Sequence, residues 1–218
     1  MGSEETITNL DSTTTHGSVW GGGVSPYAVV PKKLGMWLFI VSDAITFASL
    51  ILAYGFVRLA SENWPRPFTF WPSIVNATVM TVVLLSSSIT VVMAVRASKM
   101  RERGAAASWL IATMLGGILF DVLHIHEWLG LIGEGVRLFR NPWGTPMFGA
   151  SFFALTGLHM LHVTIGVVYL GVIAWGFGRS KYTADDVEIS GLYWHFVDLV
   201  WMFLFPLLYL MSARTAWF

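Results

Sequence analysis

Five apolar runs, each long enough to cross a bilayer, constrain this chain more than any other feature of its sequence. They cover approximately residues 34–59, 73–97, 109–133, 148–177 and 192–211. A helix rises about 1.5 Å per residue, so about 20 apolar residues cross the roughly 30 Å of hydrocarbon. A helix also satisfies its own backbone hydrogen bonds, as a segment in lipid must. The sequence therefore predicts an all-α membrane protein, a bundle of five transmembrane helices.

The composition agrees with a membrane protein and excludes several other classes. Of the 218 residues, 55% are hydrophobic and 12% are charged, whereas a soluble domain has about 25% charged residues. The formal net charge is zero, so no nucleic-acid partner is expected. The chain has no cysteine, which excludes disulfides and thiolate metal sites. Residues 1–33 are rich in Ser, Thr and Gly and predict a polar N-terminal arm before a five-helix transmembrane domain, residues 34–218.

The distribution of Lys and Arg predicts how the helices are oriented. The short loop between the second and third runs is strongly basic, with Arg96, Lys99, Arg101 and Arg103. Cytoplasmic loops carry an excess of such residues. The N-terminus is therefore expected in the cytoplasm and the C-terminus outside.

Ionisable side chains within apolar runs are costly in a bilayer and are candidate functional groups. Asp43 lies well inside the first run, with Ser42 and Thr46 as its nearest possible hydrogen-bond partners. We expect Asp43 to be protonated or hydrogen-bonded. In the fourth run, His159 and His162 have H-x-x-H spacing, which places both imidazoles on one helix face. Membrane histidine-box enzymes contain such pairs.

The third run is the most polar of the five. Asp121, His124 and Glu127 share one face of a helix at 100° per residue. These residue types can ligate iron, zinc or manganese. They can equally form a hydrogen-bonded cluster against a neighbouring helix or a water pocket. The spacing leaves both hypotheses open.

The fifth run places a histidine and a carboxylate three residues apart, at His195 and Asp198, among aromatic side chains. We expect them to be structural partners of each other or contacts to neighbouring helices, not catalytic residues. Pro206 has no backbone N–H and is expected to kink the last third of this helix.

Two motifs resemble subunit III of the haem–copper oxidases, the cytochrome c and quinol oxidase family. The first is similar to the start of the family's last helix and reads Tyr193-Trp194-His195-Phe196-Val197-Asp198-Leu199-Val200-Trp201. The second is similar to the family's histidine-containing helix and reads Thr156-Gly157-Leu158-His159-Met160-Leu161-His162-Val163, with Leu158 in place of an aromatic residue and Met160 in place of a glycine.

Isolated positions extend the resemblance over approximately residues 34–212. Asp43 occupies the place of an intramembrane acid that is Glu in many members. Glu127 is similar to the acid of a further motif, in which His124 replaces a Gln. Glu188 is similar to the acid that precedes the last helix. The chain resembles the shorter, five-helix bacterial form of the family.

The resemblance implies a non-catalytic accessory subunit of a terminal oxidase in the bacterial cytoplasmic membrane. The family's subunit III binds no haem or copper; these lie in subunits I and II, and the catalytic subunit reduces oxygen to water. Subunit III supports assembly, binds phospholipid and sustains proton uptake. Candidate cations for a lipid phosphate are Lys99, Arg101, Arg179 and Lys181. Structural, lipid-related or proton-related roles are expected for Asp43, His124, Glu127, His159, His162, Glu188, His195 and Asp198.

Two alternatives remain at this point. One is a histidine-box metalloenzyme carrying its own iron, although five histidines in the apolar runs are few for a dinuclear site. The other is a subunit III-like accessory protein of another respiratory complex, such as nitric oxide reductase. The sequence does not distinguish a cytochrome from a quinol as electron donor.

Overall fold

The computed structural model describes residues 31–214 and confirms the predicted bundle of five long helices. Each helix, with its continuation, is long and apolar enough to cross a membrane. Residues 1–30 of the predicted arm lie outside the described residues. The helices are α1 Pro31–Ala60, α2 Val75–Lys99, α3 Arg103–Gly133, α4 Pro146–Gly178 and α5 Ala184–Leu204.

Several helices begin earlier than the apolar runs that predicted them. α1 begins at Pro31, a residue suited to the first turn because its missing N–H is not needed there. α5 begins at Ala184, where Thr183 and Asp186 form a capping box that satisfies free backbone N–H groups. Hydropathy detects the part of a helix that lies in lipid, not its capped end. The first turns of α5 therefore precede the membrane-spanning run that starts at Leu192.

α4 and α5 form the centre of the bundle, and α1 lies at its edge. In the most apolar 18-residue windows, half of the residues of α4 and of α5 are buried, compared with 11% for α1. Most of α1 therefore presents apolar side chains outward, including Leu38, Leu52 and Phe56.

Trp194 on α5 fills the middle of the core between two glycines. A Cβ on Gly117 of α3 would lie 2.5 Å from Cη2 of Trp194, and one on Gly166 of α4 would lie 2.9 Å from its Cζ3. The indole Nε1 of Trp194 donates to Oγ of Ser87 on α2 at 2.9 Å. The small residues thus let three helices close around one large side chain.

The winding of the last helix changes around Pro206. The α-helix ends at Leu204 and continues as a π-helical turn, Phe205–Tyr209, then a 3₁₀ turn, Leu210–Ser212. This segment holds the C-terminal end of α1. Arg58 donates through Nη2 to the carbonyl of Met211 at 2.6 Å, and the hydroxyl of Tyr54 donates to the carbonyl of Leu207 at 2.9 Å.

Candidate functional site

Asp43 contacts a helix neighbour, His162 on α4, and not Ser42 or Thr46. Nε2 of His162 lies 3.0 Å from Oδ2 of Asp43. Nδ1 of His162 lies 2.8 Å from the carbonyl of Leu158, and because a carbonyl only accepts, Nδ1 carries the hydrogen. The contact is then either a protonated carboxyl donating to a neutral imidazole or an imidazolium–carboxylate pair. The hydroxyl of Thr46 instead donates to the carbonyl of Ser42.

The three polar residues on one face of α3 go to different partners. Asp121 accepts a hydrogen bond from the hydroxyl of Thr164 on α4 at 3.0 Å. Glu127 accepts one from the hydroxyl of Tyr209 at 3.0 Å. His124 is fully buried among aromatic rings. Across residues 31–214, no group of three or more His, Asp and Glu side chains could hold a metal ion. The three residues do not form one hydrogen-bonded cluster either, because Asp121 and Glu127 bond to different neighbours and the ring nitrogens of His124 bond to no residue in this range.

His124 and His159 are core residues that pack against the same indole. The ring of His159 stacks on Trp201 at 5.2 Å, and the ring of His124 meets Trp201 edge-on at 5.5 Å. None of their four ring nitrogens has a hydrogen-bond partner in the described part of the chain. His162 instead turns to α1. The H-x-x-H pair therefore serves two separate interfaces.

His195 contacts α2 at Ser88, whereas Asp198 is buried without a hydrogen-bond partner in the described part of the chain. Nδ1 of His195 is 2.7 Å from Oγ of Ser88. Asp198 is 4% exposed, and neither of its carboxylate oxygens has a hydrogen-bond partner among residues 31–214. The structure thus gives His195 a contact to a neighbouring helix and shows no direct hydrogen bond between His195 and Asp198. Sequence reasoning missed Ser88, because a serine in an apolar run does not reveal which helix it faces.

An ionic cluster joins α1, α2 and α5 at one end of the bundle. Glu188 lies 2.5 Å from Nζ of Lys33 and 2.7 Å from Nζ of Lys99, and Lys32 lies 2.8 Å from Asp186. Glu188 precedes the membrane-spanning run. Hydrogen bonds from Lys33 and Lys99 lower its pKa to about 2. The sequence singled out Glu188 and Lys99 but not their pairing, because the partners come from distant helices.

Beside this cluster, a groove of about 670 Å³ runs between α1, α2 and α5. Its walls are mainly apolar and include Trp37, Val92 and Leu192, while Arg96 lies at its charged end. His195 lines it more than one helical turn beyond Glu188. The groove can therefore hold an apolar chain and an anionic group together.

Comparison with known proteins decides the family. The family model described as cytochrome c oxidase subunit III matches residues 22–213. The chain belongs to the cytochrome c oxidase subunit III family. It is thus an accessory subunit of a haem–copper oxidase, a multi-pass membrane protein that forms a complex with other oxidase subunits.

Relatives of this subunit III chain include proteins from two classes of oxidase. Cytochrome c oxidase subunit 3 of Bacillus subtilis is 33% identical over 83% of this chain and 86% of its own length. Cytochrome c oxidase subunit 3 of Alkalihalophilus pseudofirmus is 31% identical over 84% and 87%. Cytochrome bo(3) ubiquinol oxidase subunit 3 of Pseudomonas aeruginosa is 32% identical over 82% and 84%. The resemblance inferred from the helix-four and helix-five motifs is confirmed.

Proposed function

We propose that this chain is the non-catalytic third subunit of a bacterial terminal oxidase in aerobic respiration. In this proposal, subunits I and II carry haem and copper and the catalytic subunit reduces oxygen to water. The chain supports assembly, binds phospholipid and sustains proton uptake. The relatives described above, each named as a third subunit of an oxidase, support the assignment.

The observation that carries the proposal is that polar side chains within the spans bond to neighbouring helices. Asp43 binds α4, Glu127 binds Tyr209 beyond α5, and His195 binds α2. They connect different helices and do not converge on one centre. Polar contacts between helices hold a bundle in one arrangement, which suits a subunit that supports a catalytic neighbour.

The groove supports the lipid-binding part of the proposal. Its apolar walls fit an acyl chain, and Arg96 at its charged end can bind a phosphate. Of the cations considered from sequence, Lys99 is held by Glu188, and the guanidinium of Arg179 lies 4.1 Å from the centre of the Trp175 ring. We therefore place Arg96 first among the groups that would bind the headgroup.

We further propose that the basic end faces the cytoplasm of a bacterium, with the N-terminus inside. The ion pairs of Lys32, Lys33 and Lys99 and the contact of Arg103 with Ser180 bring these loops to one end. Because the chain has no cysteine, a single cysteine can report each side. Met100→Cys should react with a membrane-impermeant thiol reagent only after the membrane is opened, and Phe139→Cys in intact cells. The reverse pattern would contradict the orientation.

Purification of the native complex through a tag on this chain tests the function. The chain should copurify with the haem- and copper-bearing subunits of an oxidase. Deleting the chain should leave an oxidase that starts turnover but is inactivated sooner. Recovery of the chain without oxidase subunits would overturn the proposal, and iron bound to the isolated chain would favour a metalloenzyme.

A further inference from the structure

Asp121 is an intramembrane carboxyl group that the proposed function does not use. It lies on α3, and its Oδ2 accepts a hydrogen bond from the hydroxyl of Thr164 on α4 at 3.0 Å. At about 1.5 Å per residue, Asp121 lies about 18 Å from the end of α3 at Gly133, and Thr164 lies about 21 Å from the end of α4 at Gly178. Both side chains are therefore deep within their spans.

The pair lies at the surface of the bundle and not in its core. Asp121 is only partly buried, and Thr164 is exposed. At 100° per residue, Thr164 lies about 200° around α4 from His162, the residue that contacts α1. The pair is therefore on a different side of α4 from α1.

Close contacts between α3 and α4 hold the carboxyl group in place from both sides. Seven residues before Asp121, Cε of Met114 lies 3.1 Å from the position of a Cβ on Gly171. Seven residues after it, Cη2 of Trp128 lies 3.0 Å from the position of a Cβ on Gly157. Small residues let the two helices approach closely at both points. The carboxyl group is thus presented by a tightly packed pair of helices.

The surface around the pair is apolar. Exposed apolar side chains lie three residues before and four residues after each member, on nearly the same helix faces: Ile118, Ile125, Leu161 and Val168. None of the ion pairs among residues 31–214 includes Asp121. A carboxyl group facing hydrocarbon is costly, but each of its oxygens can accept a second hydrogen bond. This surface therefore suits a protein neighbour that supplies a donor.

We propose that the surface around Asp121 and Thr164 binds a transmembrane helix of another oxidase subunit, which donates a hydrogen bond to Asp121 from a polar or basic side chain. Charge and hydrogen-bond complementarity identify this occupant. An acyl chain has no donor at this depth. A second copy of the same surface would bring two acids face to face, which repulsion disfavours. The inference needs only that the chain is part of an oxidase complex, and not the lipid or proton roles proposed above.

Photo-cross-linking in the purified native complex identifies the neighbour. Benzoylphenylalanine in place of Val168 leaves Asp121 and Thr164 unchanged. It should cross-link to a transmembrane helix of another oxidase subunit, and mass spectrometry of the cross-linked peptide should find a hydrogen-bond donor side chain within about one turn of the attachment point. Cross-linking only to phospholipid, to a second copy of this chain, or to a helix without such a donor would overturn the proposal.

Asp121→Leu tests the carboxyl group itself. The variant leaves the donor of the partner helix unpaired, so the dissociation constant of the chain from the rest of the oxidase should rise about tenfold. Asp121→Asn keeps an acceptor oxygen and should lose less. Ser86→Leu is the control, because among residues 31–214 the exposed Ser86 bonds only to the carbonyl of Val82 on its own helix.

A surface that faces lipid would give the opposite result, since removing an acid from hydrocarbon leaves the association unchanged or makes it stronger. Either outcome for Asp121→Leu, measured against the Ser86→Leu control, would overturn the proposal. If Asp121→Leu does not fold, the cross-link decides, because it is made with Asp121 in place. A chain that copurifies with the oxidase but cross-links only to lipid would contradict this surface and not the membership of the complex.

Discussion

His162 on α4 and Asp43 on α1 lie 3.0 Å apart, the contact between Nε2 and Oδ2 that joins the outermost helix to the centre of the bundle. The two side chains are 12% and 20% exposed, so little solvent replaces the contact when it breaks. The ring of Phe47 packs edge-on against the ring of His162. The hydroxyl of Tyr193 donates a hydrogen bond to the backbone carbonyl of His162. The position of α1 therefore depends on a polar contact within the membrane.

Asp43→Leu should destabilise the chain by about 1–3 kcal/mol, because it leaves Nε2 of His162 without a partner in an apolar setting. The measurement is thermal unfolding of the purified complex in lipid. Asp43→Asn should lose less, since its amide can still donate to Nε2. Ser49→Ala is the control on the same helix, because among residues 31–214 Ser49 bonds only to the carbonyl of Ile45. Equal stability of the Leu variant and the control would show that the contact contributes nothing.

Gly117→Ala should destabilise the chain by about 1–3 kcal/mol through overpacking. The added methyl would lie 2.5 Å from the ring of Trp194 and 2.6 Å from Cγ2 of Val167, so α3 would have to move away from both. Gly130→Ala, on the same helix with open space at its Cα, should be neutral or slightly stabilising. Comparing the melting temperatures of the two variants checks this. A smaller loss for Gly117→Ala than for Gly130→Ala would contradict the packing.

Arg58→Met should loosen the last helical turns. It removes charge-assisted hydrogen bonds to the carbonyl of Met211 and to the hydroxyls of Tyr54 and Ser212, each worth about 1.5–3 kcal/mol in favourable cases. Amide hydrogen exchange over residues 205–213 should become faster. Arg58→Lys should rescue only part of the protection, because an ammonium group lacks the planar fork. Protection equal to that of an Arg66→Met control would contradict this role.

The stability contributed by Glu188 should depend on acid pH. Its pKa is held at about 2 by Lys33 and Lys99, below the ordinary value of 4.5. A carboxyl group with a lowered pKa stabilises the folded state above its ordinary pKa, and this stability is lost as the pH falls through the lowered value. The unmodified chain should be more thermally stable than Glu188→Gln. This difference should be at its largest above pH 4.5 and should shrink as the pH approaches 2.

Asp185→Asn is the matched control for this titration, since Asp185 is an exposed acid on the same turn of α5. It should not reproduce the pH dependence of Glu188→Gln. A difference for Glu188→Gln that stays constant down to pH 2 would contradict the ionic cluster as its cause.

The sequence predicted the five spans and the family because both depend on local patterns of consecutive residues. Hydropathy follows burial in lipid, and the stretch from Tyr193 to Trp201 is specific by its order alone. The sequence also placed His159 and His162 on one helix, but it did not predict which neighbours each histidine faces. That depends on the rotation of α1 and α5 about α4, which a single sequence does not encode locally.

The same limit explains the missed partners. Ser88 and Lys33 carry no signal by themselves: one is a small residue in an apolar helix, the other a lysine near an end. Each gains a role only when α5 places His195 or Glu188 beside it. The spacing on α3 is also compatible with a metal site. In the structure, however, Asp121 bonds to Thr164. Glu127 bonds to Tyr209, so the two carboxylates face different neighbours.

The few buried residues of α1 have a mechanical consequence. Apolar surfaces gain little by meeting inside a bilayer, since lipid tails are equally apolar. Lys33, Asp43 and Arg58 attach the helix near its start, its middle and its end. A slide by one turn, about 5.4 Å, would break all three attachments at once. The three attachments therefore fix the depth of α1 together, and no position one turn away keeps any of them.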